Sequence, residues 1–260
     1  MPAEDTSANT TVLYEAAGGI ARLTLNRAEK RNALNDELIA ALKESITRAG
    51  KDEAVSTILI AAAGADFCSG ADLSALQKIS TASVEENLAD ARSLMELLIL
   101  IRSTRQPVIA AVKGRALAGG CGLASACGIV LAARSARFGY PEVKIGFVPA
   151  MVMAILRRNV SEKRAFELIT LGREITADEA VAIGLANQVL DDEAFDDEVS
   201  SFIEQYAKVS SSAVALTKSL LYQMDAMNFA DALHCGVDVN VTARMSEDCK
   251  QGIERFLRRR

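Results

Sequence analysis

The chain of 260 residues has one histidine, His234, and no tryptophan. One histidine is too few for a His-rich zinc site, and any Ser-His-Asp or Cys-His mechanism has to run through His234. Proton transfer is left mainly to carboxylates, Lys, Tyr and Cys. None of the five cysteines forms a C-x-x-C pair and their number is odd. A disulfide framework is therefore not expected, and a reducing cytosol fits. The opening MPAEDTSANT has neither the basic region nor the apolar run of a signal peptide and reads as a frayed leader. The longest apolar stretches, such as residues 97–101, are too short to span a bilayer. Positive charge is also lacking: 29 basic against 34 acidic residues give a net charge of -5, without the footprint of a nucleic-acid binder. The expectation is a soluble, cytoplasmic protein.

What the chain does have is apolar content, at 50% hydrophobic, enough for one large core. Short strands are expected at 12–14 and 20–25 around Gly18-Gly19. Asn35 reads as an N-cap, with Leu38, Leu42 and Ile46 at helical spacing and Gly50 as the helix end. Residues 55–61, 108–112, 129–132 and 188–190 are short β-branched apolar runs, the pattern of buried strands. Helical patterns lie between them at 84–101, 117–126, 150–158 and 177–182. That alternation indicates an α/β architecture. After about Asp192 the pattern is helix after helix: 195–208, 213–224, 229–244 and 247–257. The expected organisation is an α/β core over 1–192 and a helical segment over 193–260.

Three segments are candidates for chemistry. Residues 63–73 (A-G-A-D-F-C-S-G-A-D-L) leave a buried strand through a Gly-containing turn into a helix, leaving backbone N–H groups free for an anion or a developing oxyanion. Residues 114–123 (G-R-A-L-A-G-G-C-G-L) do the same; no Lys-Ser/Thr follows the glycines, so this is no P-loop. Residues 138–150 (F-G-Y-P-E-V-K-I-G-F-V-P-A) put an acid, Glu142, among apolar neighbours, where burial raises a carboxyl pKa toward the acid–base range. Singly, each has a bland counterpart: an ordinary loop, close helix packing, a solvated Glu.

Together they resemble the crotonase, or enoyl-CoA hydratase/isomerase, superfamily. N-R-A-E-K-R-N-A-L-N at 26–35 is similar to that family's N-R-P-x-x-R-N-A-L-N. F-C-S-G-A-D-L, the A-x-G-G-C stretch, P-E-V-x-I-G-x-x-P and the closing 246–257 follow in order. The resemblance implies a core of ββα turns wound into a spiral, with a C-terminal helical oligomerisation segment that builds trimers or dimers of trimers. It implies an acyl-CoA thioester substrate, no metal, and no cofactor beyond the coenzyme A of the substrate. It places an oxyanion hole on the N–H groups of Ala71, after Gly70, and Gly119, with Glu142 as acid/base. It lines the substrate path with Arg31, Ala33, Leu34, Ser69, Gly70, Asp72, Leu73, Gly122 and Pro141; Arg27 and Lys30 are further candidates for phosphate contact.

One departure stands out. Two-base hydratases of this family carry a second glutamate where this chain has Gly122. Hydration divides naturally between two carboxylates, whereas moving a proton between the α and γ carbons needs one base. General similarity of the 142–151 run points instead to hydratases of short or branched enoyl-CoAs. The expected activity is enoyl-CoA hydratase or Δ3-Δ2 isomerase. The alternatives are a methylglutaconyl-type branched enoyl-CoA hydratase or a decarboxylase, with Lys78 reaching an acyl carboxylate, or a non-catalytic acyl-CoA binder. His234 is expected in packing or an interface, Cys68 and Cys121 as small apolar filler, and Tyr140 at the core edge or on a site water.

Overall fold

The computed structural model describes residues 11–258, so the leader read at Met1–Thr10 lies outside the described residues. The first strands, β1 (Val12–Ala17) and β2 (Ile20–Leu25), form an antiparallel hairpin, with Gly18 and Gly19 both at positive φ in the turn. Helix α1 (Asp36–Lys51) starts where Asn35 accepts the Leu38 N–H at 2.9 Å. Its Leu38, Leu42 and Ile46 are fully buried, each contributing ~1.5–3 kcal/mol of transfer free energy. Gly50 does not end this helix, which runs one residue further. It sits close to Thr104, and a Cβ there would stand 3.1 Å from Thr104 Oγ1. Close approach, not termination, accounts for that glycine.

The chain continues through β3 (Thr57–Ala62), α2 (Leu73–Thr81), α3 (Val84–Ser103) and β4 (Val108–Val112). It then passes through β5 (Arg115–Leu117), α4 (Gly119–Ala126), β6 (Ile129–Ala133) and β7 (Arg137–Gly139). Next come α5 (Ala150–Asn159), α6 (Glu162–Leu171), β8 (Glu174–Thr176), α7 (Ala177–Ala182) and β9 (Gln188–Leu190). Six strands form one sheet in the order β1-β2-β3-β4-β6-β9, parallel from β2 onward. Every residue of β4 is buried, as a strand covered on both faces requires. A second sheet, β5-β7-β8, stands apart. Its three-residue strands are too short to show a period, and Leu117, expected to open a helix, pairs in β5 instead, opposite Gly139.

Helix α8 (Phe195–Ile203) still belongs to the core through Phe195, Val199 and Ile203. By contrast α9 (Ser211–Gln223), α10 (Phe229–Met245) and α11 (Glu247–Arg258) contain no buried residue. Helix α9 is held by polar contacts. Lys218 Nζ donates to the Ile101 carbonyl at 2.9 Å, in the last turn of α3, and to the Gln106 carbonyl at 2.7 Å. Arg102 and Arg158 both reach Asp225 at 2.8 Å, and the Arg102 guanidinium lies 3.8 Å from the centre of the Tyr222 ring. Burial pulls the Lys218 ammonium down to about 8. Lys218→Met orphans two carbonyls and is expected to cost ~1–3 kcal/mol. Thermal unfolding checks this, and an unchanged Tm would remove Lys218 from the attachment of α9. Among the described residues no helix is long and apolar enough to cross a membrane.

Candidate active site

The site is built where the loops after β2, β3 and β5 lie side by side. Asn32, fully buried, donates through Nδ2 to the carbonyls of Ala63 and Asp66, both at 2.8 Å, and accepts the Arg27 N–H at 2.8 Å. It stands at φ +51°, a left-handed conformation that Asn tolerates better than most residues. Two residues on, Leu34 N–H donates to the Gly70 carbonyl at 2.7 Å, and Asp72 N–H returns to the Leu34 carbonyl at 2.9 Å. On the opposite edge Cys68 N–H donates to Arg115 at 3.0 Å and Leu117 N–H to Cys68 at 2.9 Å, a parallel bridge between Cys68 and Ala116.

That bridge places the two expected oxyanion donors in step, since Ala71 and Gly119 each lie three residues beyond it. Gly70 turns the first donor. The N–H groups of Ser69 and Asp72 both face the 31–34 segment, so the alternation of an extended strand changes phase at Gly70, where φ is +97°. The Ala71 N–H is left facing away from Leu34, on the side where Ala118 approaches. A Cβ on residue 70 would meet Ala118 Cβ at 2.8 Å, so only glycine fits. Ala118 turns the second donor. It caps α4 at φ +51°, ψ -124°, a strained conformation for alanine that costs ~1–3 kcal/mol, and it directs Gly119 into the first turn of α4. Neither the Ala71 nor the Gly119 N–H donates to a described residue. Nothing in the sequence marks Ala118, because no residue-type signal accompanies an alanine forced to positive φ.

Glu142 follows Pro141 in a 3-10 turn over Pro141–Ile145. Its residue is 9% exposed, and its Oε2 is buried with no hydrogen-bond partner among the described residues. Burial pushes its pKa up. Burial, helped to a smaller degree by the Glu142 charge, also raises the thiol of Cys121, in the first turn of α4, to about 11. Glu142 lies three residues after Gly139, whose carbonyl accepts the Ala118 N–H at 2.8 Å, one residue before Gly119. Tyr140 is fully buried and shares a hydrogen bond with Ser125 Oγ at 3.1 Å, fastening the segment before Glu142 to α4; it lies in the core, not at its edge.

An open groove of about 510 Å³ runs past Glu29, Lys30, Arg31, Ala33, Ser69, Ala71 and Asp72. Arg31 is exposed on it and Ser69 half-buried, while Ala33 and Leu34 are mostly covered. Asp72 is tied down: it caps α2 at Ser74 and pairs with Arg27 at 2.8 Å, and these contacts, Arg27 first, hold its carboxyl at about 2. Arg27, read as a phosphate candidate, is committed to that pair and to the Ala33 carbonyl. Leu73 opens α2, and its side chain lies outside what the structure describes. Lys78 is exposed and paired with Asp36 at 2.8 Å. His234 is exposed on α10, and Cys68, at about 12, is a buried, protonated thiol.

Gly122, expected beside the substrate, is buried in the contact between α4 and α5. A Cβ there would stand 2.1 Å from Val152 Cγ1. Its φ is not positive, and glycine costs ~1 kcal/mol relative to alanine inside a helix, so its reason is space for Val152.

The Ala71 and Gly119 N–H groups, which have no acceptor among the described residues, could hold a carbonyl oxygen on which negative charge develops, and the buried Glu142 carboxyl could exchange a proton. The family model for enoyl-CoA hydratase/isomerase matches residues 15–260, and the chain belongs to this family, the crotonase superfamily. A Thermus thermophilus protein with a provisional enoyl-CoA hydratase name is 37% identical, over 94% of this chain and 96% of that protein. A crotonyl-CoA hydratase of Syntrophomonas wolfei is 32% identical over 96% of this chain and 95% of its own length. The crystal structure of an enoyl-CoA hydratase of Mycobacterium smegmatis superposes with a TM-score of 0.93 at 31% identity, covering 97% of this chain and 98% of that one.

Proposed function

We propose that the protein binds an acyl-CoA thioester and carries out enoyl-CoA hydratase/isomerase chemistry with Glu142 as its acid/base. The observation that carries this reading is the buried, unpartnered Glu142 carboxyl, three residues from the Gly139 carbonyl that accepts the Ala118 N–H beside Gly119. The thioester oxygen accepts from the N–H groups of Ala71 and Gly119. As negative charge develops there, Glu142 moves a proton at the α-carbon of the acyl chain. The groove over Arg31, Ala33 and Ser69 takes the coenzyme A, with Lys30 and Arg31 toward its phosphates and Pro141 setting the turn that presents Glu142. Coenzyme A enters as part of the substrate, and no other cofactor is invoked.

Gly122 favours one form of this chemistry. With Val152 filling the space at that position, no second carboxylate is supplied from it, which supports a one-base proton shift between the α and γ carbons over addition of water. The exposed stripe Phe229, Leu233, Val237 and Val241 on α10 supports assembly through the C-terminal helices into a trimer or a dimer of trimers. Five free cysteines suit a reducing compartment such as the cytoplasm.

Incubation with a panel of enoyl-CoAs, branched and carboxylated ones included, followed by mass spectrometry and NMR of the products, tests the reading. Hydration raises the mass, isomerisation moves the double bond at constant mass, and decarboxylation loses carbon dioxide. Binding of acyl-CoA without turnover would leave a non-catalytic binder, and neither binding nor turnover would end the proposal.

A further inference from the structure

The two halves of the site sit on separate pieces of chain. Before Glu142 they are tied by the Ala118 N–H donating to the Gly139 carbonyl at 2.8 Å and by the Tyr140–Ser125 hydrogen bond; after it they meet at one close contact, Val152 on Gly122. Gly119 opens α4, and Gly122 is three residues on, in the same first turn. Glu142 lies in the 3-10 turn that closes when Phe147 N–H donates to the Glu142 carbonyl at 3.0 Å, and α5 begins three residues later. Val152, 3% exposed, is in the first turn of α5. The far ends of the helices are joined separately, by Asn159 Nδ2 donating to the Ser125 carbonyl at 2.9 Å. At the near end, the structure shows Val152 seated where any side chain on residue 122 would have to be.

We propose that Val152 is a positioning residue, whose seat on Gly122 fixes the Glu142 carboxyl relative to the Gly119 N–H. The fit leaves little slack. A Cβ on residue 122 would lie 2.1 Å from Val152 Cγ1, 2.7 Å from its Cβ and 3.7 Å from its Cα. Turning the valine about χ1 moves the first atom but not the second, so a methyl at 122 displaces the helix itself. Relieving such an overlap takes a shift of ~1 Å, and a misplacement of that size at reacting atoms costs ~10²-fold in rate. The groove residues 27–34 and 69–72 are clamped to one another by Asn32 and Leu34, independently of α5. Substrate binding should therefore survive when the rate does not. The titratable neighbours Cys121 and Tyr140 are both held protonated by burial, so a pH limb in the acid range reports Glu142.

This inference rests on Glu142 acting as the base, and the test separates the two. Gly122→Ala, Val152→Ala and the double variant are compared with wild type for Tm, kcat, KM and the pH profile of kcat. Gly122→Ala is expected to lose ~10²-fold in kcat with KM within about threefold. Val152→Ala is expected to lose about tenfold and move the acid limb to lower pH, as the loosened Glu142 carboxyl loses burial. In the double variant the 2.1 Å overlap is gone and only the 2.7 Å one remains. Its kcat should therefore exceed that of Gly122→Ala alone, where independent effects would make it lower. A fall in Tm with kcat per folded molecule and the acid limb unchanged would make Val152 a packing residue only and overturn the inference while Glu142 stands. Wild-type protein without turnover would overturn both.

Discussion

Glu142→Gln is expected to lower kcat by ~10³-fold or more while acyl-CoA binding stays within a few-fold of wild type. The amide has the shape of the carboxyl but cannot take a proton from carbon at any useful rate. The groove contacts lie on other segments, so the loss should fall on kcat and not on KM. The same variant should not unfold the protein. Glu142 Oε2 has no hydrogen-bond partner among the described residues, and burial raises its pKa. A carboxyl whose pKa is higher folded than unfolded binds its proton more tightly in the folded state. Stability then falls as pH rises from the ordinary carboxylate value to the raised one, and stays reduced above it. Replacing that charge with a neutral amide should leave Tm at neutral pH equal to wild type or higher. In the wild type the rate should fall as pH drops through the raised value, giving an acid limb above the usual carboxylate range. Full activity in Glu142→Gln would move the base elsewhere; lost activity together with lost Tm would show a structural role instead.

The large outline of this molecule is legible in its sequence, and the reasons are physical. Strands β3, β4 and β6 are continuous apolar runs because a parallel sheet is buried on both faces, and Asn35 caps α1 where its spacing says it should. The second sheet is not legible, because three-residue strands carry no period. The site is legible as segments and illegible as geometry. The 63–73 and 114–123 stretches show as glycine-rich strand exits. Their alignment depends on the Cys68–Ala116 bridge, the phase change at Gly70 and the strained Ala118, which are properties of the folded backbone. The resemblance puts Asp72 on the substrate path and Arg27 reads as a phosphate contact by its charge; the ion pair that joins them shows only in the fold. Gly122 is legible as a missing carboxylate, but not as the seat of Val152, thirty residues along the chain.

Asn32→Ala is expected to be the most destabilising of the single changes considered, by ~3–5 kcal/mol. The side chain is fully buried and makes three hydrogen bonds across two loops, accepting from Arg27 N–H and donating to the Ala63 and Asp66 carbonyls. Its removal leaves one half-buried donor and two half-buried acceptors without their partner. Each such orphan costs ~1–3 kcal/mol, and alanine is a poorer fit than asparagine at φ +51°. Against a typical total of about 5–15 kcal/mol this is a fifth or more of the stability of a domain. Asn32→Asp separates hydrogen bonding from size. It keeps the acceptor for Arg27 N–H but turns an oxygen toward two carbonyl oxygens, so it should be no more stable than the alanine variant. Function should follow: the clamp holds the 27–34 loop on the 63–72 loop, and these loops together wall the groove. The folded fraction of either variant should therefore show a raised KM with kcat less affected, the reverse of Glu142→Gln. Chemical unfolding with KM measured on the same preparations checks both expectations. A loss of under about 1 kcal/mol would mean that the two loops find their register from the Leu34–Gly70 and Leu34–Asp72 hydrogen bonds alone.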